Sequence, residues 1–271
     1  MQNPGRKHIK TKTMLTRIIY PLTLRAKINW RVKKLFPHIQ DKNISLEFNQ
    51  NLKLDLSKSD VGHQLIIFNG FYELELTKAI IKLGTKGGLL IDVGANYGYF
   101  SCLWASQNPG NKVIAFEASP ANVQPLRNNV NKNMLSDSIT VSTNAVGKEK
   151  GKLKFYLGNE SQQTGWGGFS NNDNSGLIEV DVDTLDDYTS KNNINKVDVL
   201  KIDTEGADTW VLYGAERLLK EKKINHIFFE HNLERMKLLN ITENEAKDFL
   251  EKFDYVVEEH SSTDFYAYPK N

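Results

Sequence analysis

A single cysteine, Cys102, in 271 residues excludes an internal disulfide and suits a reducing compartment. No apolar run approaches the ~20 residues needed to cross a bilayer, and the N-terminus has no continuous apolar stretch of the signal-peptide kind. The expectation is a globular, non-secreted, non-spanning, cytoplasmic protein. Acid is missing in one place only: residues 1–40 hold ten Lys/Arg and no Asp or Glu, which leaves 25 basic against 33 acidic residues in the remainder. The net charge of +2 therefore hides a leader of +10 and a body of −8. Within the leader, Ile28, Val32, Leu35 and Phe36 fall at helical spacing beside Lys27, Arg31 and Lys34, with Pro21 and Pro37 at the flanks. That pattern predicts a basic amphipathic helix, which either contacts a membrane surface or polyanion or packs its apolar side on the body.

What the chain does have is an apolar run that ends in an acid and a glycine-punctuated turn: Leu89-Leu90-Ile91-Asp92-Val93-Gly94-Ala95-Asn96-Tyr97-Gly98-Tyr99-Phe100. This is the order of strand, turn and helix that opens a nucleotide-binding α/β sheet. Gly94 and Gly98 let backbone N–H groups approach a ligand, and Asn96 tolerates the left-handed region. Cys102, on the helix that follows, reads as an ordinary packing residue.

Upstream, the alternation over 44–67, with Asn49-Gln-Asn51 inside it, predicts a small β element. A helix carrying Leu74, Leu76, Ala79, Ile80 and Leu83 follows Glu73 and stops at Gly84. The organisation expected is a leader (1–40), a small β element (41–69) and a main domain (70–271). Downstream, strands are predicted at 112–116 and 139–141, with a helix over 120–132 that starts at Pro120 behind Ser119. Strands at 152–157 and 177–182 flank a Gly/Asn/Ser-rich loop centred on Trp166. The run Val197-Asp-Val-Leu-Lys-Ile-Asp203-Thr-Glu205-Gly206 predicts a buried strand ending in two carboxylates, then a helix carrying Val211, Leu212, Ala215, Leu218 and Leu219. Ile227-Phe-Phe-Glu230-His231 predicts another strand with a polar end. A helix over 242–253 with a Thr242/Glu245 capping box and a hairpin of 255–257 with 265–268 close the chain.

Strands alternating with helices imply an open, mostly parallel sheet whose ligands sit beyond the strand C-termini. Asp92, Gly94, Glu117, Asn144, Asp203, Glu205, Glu230 and His231 all follow predicted strands and would gather at that rim. Glu117 suits an adenosine ribose, whose two hydroxyls a carboxylate can accept together. Asp92, two residues before the first glycine, would repel a pyrophosphate and attract the ammonium of S-adenosyl-L-methionine.

Asp92-Val-Gly-Ala-Asn-Tyr-Gly-Tyr-Phe-Ser101, Val113-Ile-Ala-Phe-Glu117, Lys201-Ile-Asp-Thr-Glu-Gly-Ala207 and Phe229-Glu-His231 resemble the successive motifs of the FkbM family of S-adenosylmethionine-dependent methyltransferases. The resemblance covers about 70–253. It departs from the family pattern at Ala118, where proline is usual, and at Asp208, where glutamate is usual. It implies a class I methyltransferase (Rossmann-like) open sheet, mostly parallel, with helices on both faces and an antiparallel C-terminal strand. It also implies methyl transfer to a hydroxyl of a sugar, glycan or other small molecule. Glu73, Asp92, Gly94, Ala95, Asn96, Gly98, Glu117, Ser119, Asn144 and Asp203 are the candidate cofactor contacts. Asp203, Glu205 and His231 are the candidates for moving the hydroxyl proton. Trp166, Glu230 and His231 are the candidate acceptor contacts, and Asp203 with Glu230 are the residues that would hold a Mg2+ if one takes part. The basic leader raises a competing reading, a nucleic-acid methyltransferase or RNA-binding protein.

Overall fold

The computed structural model describes residues 17–32, 40–156, 168–169 and 177–270. Its helices are α1 (Leu22–Val32), α2 (Val61–Asn69), α3 (Leu74–Gly84), α4 (Tyr99–Ala105), α5 (Pro120–Lys132), α6 (Leu185–Lys191), α7 (Asp208–Tyr213), α8 (Glu216–Lys220), α9 (Leu233–Leu238) and α10 (Glu245–Glu251). Its strands are β1 (Ile44–Ser45), β2 (Lys53–Leu54), β3 (Leu89–Val93), β4 (Lys112–Phe116), β5 (Ile139–Ser142), β6 (Ala145–Val146), β7 (Gly151–Tyr156), β8 (Gly168–Phe169), β9 (Leu177–Asp183), β10 (Val197–Ile202), β11 (Ile224–Glu230), β12 (Tyr255–Glu259) and β13 (Asp264–Pro269).

Seven strands form the main sheet in the order β12-β13-β11-β10-β3-β4-β5. The five from β11 to β5 run parallel, and β13 runs antiparallel between β11 and β12. Chain order reverses beside β3, which has β4 on one side and β10 on the other, and such a switch point opens a crevice at the strand C-termini. Alternation along the strands sends side chains to two faces. Leu90, Val113, Val199 and Phe228 pack with Leu76, Ile80, Leu103 and Leu126, while Ile91, Ile114, Leu200 and Ile227 pack with Val211, Leu212 and Leu218. Each fully buried aliphatic side chain contributes roughly 1.5–3 kcal/mol, so the two layers hold the sheet rigid under its rim. Cys102 belongs to the first layer, fully buried, with its thiol pushed up to about 12 by burial and by Asp92. Among the described residues no helix is long and apolar enough to cross a membrane.

A second sheet, β6-β9-β7-β8, fills the chain between β5 and β10; β7 and β9 are the predicted pair, antiparallel from Gly151↔Val182 to Tyr156↔Leu177. The helix expected beyond β10 is broken into α7 and α8 around Gly214. A Cβ there would lie 2.1 Å from the Gly147 carbonyl oxygen, so two glycines seat the small sheet's root against the break. At the last helix, the Thr242 N–H and hydroxyl both donate to Glu245 Oε2, at 3.0 and 3.2 Å, which is the returning half of the expected capping box.

The predicted β element of 44–67 is cut short. Only β1 and β2 pair, Ile44↔Leu54 and Ser45↔Lys53, and from Val61 onward the segment is helix α2. Its caps decide this: Asp60 Oδ1 accepts from His63 N at 2.8 Å, and Gly70 ends the helix in the left-handed region at φ +84°. Leu46, Leu54 and Leu56 are buried in the same core as Leu90 and Leu103.

The leader helix α1 is docked by polar groups. A helix end leaves its last carbonyls without partners, and the leader supplies them to α2. Arg17 donates to the Ile66 and Ile67 carbonyls at 3.2 and 2.9 Å. Asn29 donates to the Phe68 carbonyl at 3.2 Å and to Asn69 Oδ1 at 2.8 Å. Arg25 donates to the Asn69 carbonyl at 3.0 Å and pairs with Glu47 Oε2 at 2.7 Å. Two leader cations are thus committed to a helix C-terminus, where positive charge is favoured; Lys27 and Arg31 stay exposed. Leu35 and Phe36 lie outside the described residues.

Candidate active site

Strand register assembles the rim. Val93 faces Phe116 on one side and Ile202 on the other, and Ile202 faces Phe229. The residues that come next, Gly94, Glu117, Asp203 and Glu230, therefore lie in a row. Gly94 (φ +77°), Asn96 (φ +50°) and Gly98 (φ +84°) are all left-handed. A Cβ on Gly94 would stand 1.9 Å from the Asp203 carbonyl oxygen, so the β3 turn and the β10 end touch backbone to backbone and only glycine fits.

Glu117 ties the turn to the next loop. Its Oε2 accepts from Asn96 N at 2.7 Å and its Oε1 from Ser119 N at 2.8 Å, while burial pushes the carboxyl up to about 7 against the pull of those bonds. Ser119 caps α5 through its backbone position alone, with no side-chain bond. The far side of the turn is held by His63, whose Nδ1 accepts from Ser57 N at 3.2 Å. Its Nε2 therefore carries the proton and donates to Asn96 Oδ1 at 3.1 Å. Burial lowers the His63 pKa and keeps the ring neutral.

Lys201 lies at the centre of the acidic side. It is 3% exposed, and its Nζ sits 3.4 Å from Asp92 Oδ1, 3.3 Å from Asp203 Oδ2 and 3.2 Å from the Gly94 carbonyl. Burial alone would drive it neutral; Asp203, Asp92 and Glu73 outweigh burial and hold its pKa well above the ordinary value. Around this ammonium the remaining carboxyls are pushed toward their neutral forms. Burial, then Asp203, raises Glu205 to about 8 and Asp208 to about 6, and the same two causes raise Glu73 and Glu230. Glu73 in turn, with burial, raises Tyr72. Asp208 braces two strand ends: its Oδ2 accepts from Thr204 Oγ1 at 2.8 Å and its Oδ1 from Glu230 N at 3.0 Å.

A cavity of about 460 Å3 opens over the rim, within the range of small-molecule sites. Of the predicted residues, Glu73, Gly94, Ala95, Asn96, Asp203, Glu205 and Glu230 line it together. Glu117 and Ser119 stand behind the turn. Asp92, expected to meet the cofactor's ammonium, is fully buried beneath it; Ser101 Oγ donates to its Oδ2 at 2.6 Å, and its charge reaches the rim only through Lys201. Asn144 and Gly98 do not line the cavity. His231, expected as a base and acceptor contact, also lies outside it: its Nε2 donates to the Glu243 carbonyl at 2.9 Å and its ring meets Phe265 edge-on at 5.0 Å. The neighbour Asn232 takes the place on the cavity wall and donates to Glu205 Oε2 at 3.3 Å. Trp166 lies outside the described residues. For the Mg2+ expectation at Asp203 and Glu230, no group of three or more His, Cys, Asp or Glu among the described residues is arranged to hold a metal ion.

The sequence reading missed His63, Tyr72, Lys201, Arg235 and Trp30, all of which line the cavity. A signal existed for His63, since Asp60 and Gly70 are helix punctuation that would have aligned it with the turn. For Trp30, on the leader helix, no local signal existed.

Residues 92–257 match the methyltransferase FkbM domain, from the last turn of β3 into β12. By sequence the chain is similar to Methyltransferase 1 of Beauveria bassiana (strain ARSEF 2860), 25% identical over 145 residues that cover 47% of this chain and 58% of that protein. The matched segment is thus less than two thirds of that relative's length. Among solved structures it is similar to precorrin-6y C5,15-methyltransferase from Geobacter metallireducens GS-15 (12% identity, TM-score 0.44, 72% of this chain and 88% of that one). It is also similar to an S-adenosylmethionine-dependent O-methyltransferase from Thermotoga maritima (13% identity, TM-score 0.43, 74% and 66%). The glycine turn and the ends of β10 and β11 all fall inside the matched domain, and the chain belongs to the FkbM family of methyltransferases.

Proposed function

We propose that the protein transfers a methyl group from S-adenosyl-L-methionine to a hydroxyl of a sugar, glycan or other small molecule. The side chains present suit that cofactor. The glycine turn lines the cavity with Gly94, Ala95 and Asn96, and the carboxylate side of the cavity favours a cation. Asp203, beside Lys201 at 3.3 Å, lines the cavity together with Asn96 and Ala95 of the turn. When bound, S-adenosylmethionine supplies an electrophilic methyl carried on a sulfonium.

The observation that carries the reading is Glu205. Its carboxyl lines the cavity with its pKa at about 8, matched to accept a hydroxyl proton near neutral pH. The Glu205 carboxylate would take the proton of the acceptor hydroxyl as its oxygen is methylated. Asn232, bonded to Glu205 Oε2, and Arg235, 3.9 Å from that oxygen, orient the carboxylate.

The test is transfer of labelled methyl from S-adenosylmethionine to a panel of hydroxyl compounds. Glu205→Gln should cut kcat by about 10²–10⁴-fold and leave cofactor affinity, read by calorimetry, within about threefold. A Glu205→Gln enzyme with full kcat would remove Glu205 from this role.

A further inference from the structure

We infer that the acceptor subsite lies between the leader helix and the β10–β11 rim, with the Trp30 indole as the plane on which a carbohydrate ring stacks; this rests on the hydroxyl-methylation reading above. Trp30 lines the cavity although the residue is 54% exposed. It belongs to α1, more than 50 residues ahead of the matched family domain (92–257), so it is an addition to the part of the fold that the family shares.

The cavity has two unlike walls. The α1–α2 wall is apolar beside Trp30, at Val61, Leu65 and Ile66, with Asp60 and His63 its polar members. The wall from β10 and β11 is polar, with Glu205, Asn232, Glu234 and Arg235. A pyranose has the matching construction, because its C–H faces stack on an aromatic plane while its equatorial hydroxyls need several acceptors and donors in one layer. A flat phenol with one hydroxyl would fill the aromatic wall and leave the opposite carboxyl, amide and guanidinium groups desolvated without partners, which costs binding energy.

The helix that carries Trp30 is fixed in place. Asn29, next to Trp30, is fully buried and bonded to the end of α2, and Arg25, one turn earlier, is locked to Glu47 and Asn69. These anchors set the backbone from which the indole projects before any acceptor arrives, which lowers the ordering cost of binding.

The experiment measures labelled methyl transfer by the full chain to free hexoses, N-acetylhexosamines, uridine-diphosphate sugars and catechol, comparing wild type, Trp30→Ala and Trp30→Phe. The expected result is turnover of at least one carbohydrate, with Trp30→Ala raising its KM by about tenfold or more. Trp30→Phe should recover most of that loss, and the Kd for S-adenosylmethionine and the melting temperature should not change. An unchanged carbohydrate KM in Trp30→Ala would overturn the subsite and leave the hydroxyl-transfer reading standing. Turnover of catechol alone would overturn the carbohydrate class. Transfer to none of these compounds by a wild-type protein that binds S-adenosylmethionine would overturn the carbohydrate subsite as well, and would count against the hydroxyl-transfer reading.

Discussion

Gly94 and Glu205 show how closely backbone and charge are set at this rim. With φ at +77° and the Asp203 carbonyl 1.9 Å from where a Cβ would be, Gly94→Ala forces β3 and β10 apart. The expected cost is on the order of 3 kcal/mol or more, read as a lower urea midpoint, together with loss of S-adenosylmethionine binding by calorimetry. Glu205 ties activity and stability to pH in opposite senses. The folded carboxyl keeps its proton up to about 8, against an ordinary value of 4.5, so between those values the folded state binds more protons than the unfolded one. Stability is full below 4.5 and falls as pH rises toward 8, whereas kcat/KM for S-adenosylmethionine rises with pH and levels off above about 8. Glu205→Gln should flatten both profiles; its unfolding free energy, read by urea titration, should match wild type at pH 4 and exceed it at pH 9 by an amount on the order of 1–3 kcal/mol. The positions Gly94, Asn96, Asp203 and Glu205, which line the cavity, were readable because a glycine turn and a strand ending in acid leave local marks. Lys201 was not, since an alternating strand gives no hint that a lysine points inward until its neighbours' carboxylates surround it. His231 misled for the converse reason: adjacency to Glu230 in sequence put it at the rim, but its ring faces Glu243 and Phe265.

At the scale of elements, the unexpected part is the pair α1 and α2. Alternation of Leu52, Leu54 and Leu56 was real and short; it ended where Asp60 caps a helix. The leader's charge pattern suggested a basic amphipathic helix; of its cations, Arg17 and Arg25 serve as partners for carbonyls at the C-terminal end of α2, Ile67 and Asn69 among them. Arg25→Ala removes one such partner and the 2.7 Å ion pair with Glu47, whose side chain is 30% exposed. The expected destabilisation is about 1–3 kcal/mol, visible in urea unfolding. Hydrogen exchange should localise the loss to the amides of α1 and α2 and leave those of β3 and β10 as slow as in wild type.

The whole molecule combines a sheet whose strands were legible with a site that was only partly so. Five parallel strands and a closing antiparallel hairpin follow from apolar runs set between helical periods, and the final hairpin appears with Tyr255↔Pro269 and Glu259↔Phe265 at its ends. The cavity is harder to foresee because it is bounded by segments as far apart in sequence as Trp30 and Arg235, joined by packing alone. Since three of its carboxyls sit above their ordinary range, affinity for a cationic ligand depends on how many have lost their protons. Binding of S-adenosylmethionine should tighten as pH rises through about 8, and binding of S-adenosylhomocysteine, which lacks the sulfonium charge, should change less; titration of both by calorimetry across that range checks it. The buried thiol beneath the glycine turn gives the molecule a reporter of its own opening. Cys102 is the chain's one cysteine, and with its pKa at about 12 almost none of it is thiolate at pH 8. An alkylating reagent can reach it only when α4 parts from the sheet. The labelling rate therefore times the opening of the helix that carries the cofactor turn, and S-adenosylmethionine should slow that clock in proportion to its occupancy.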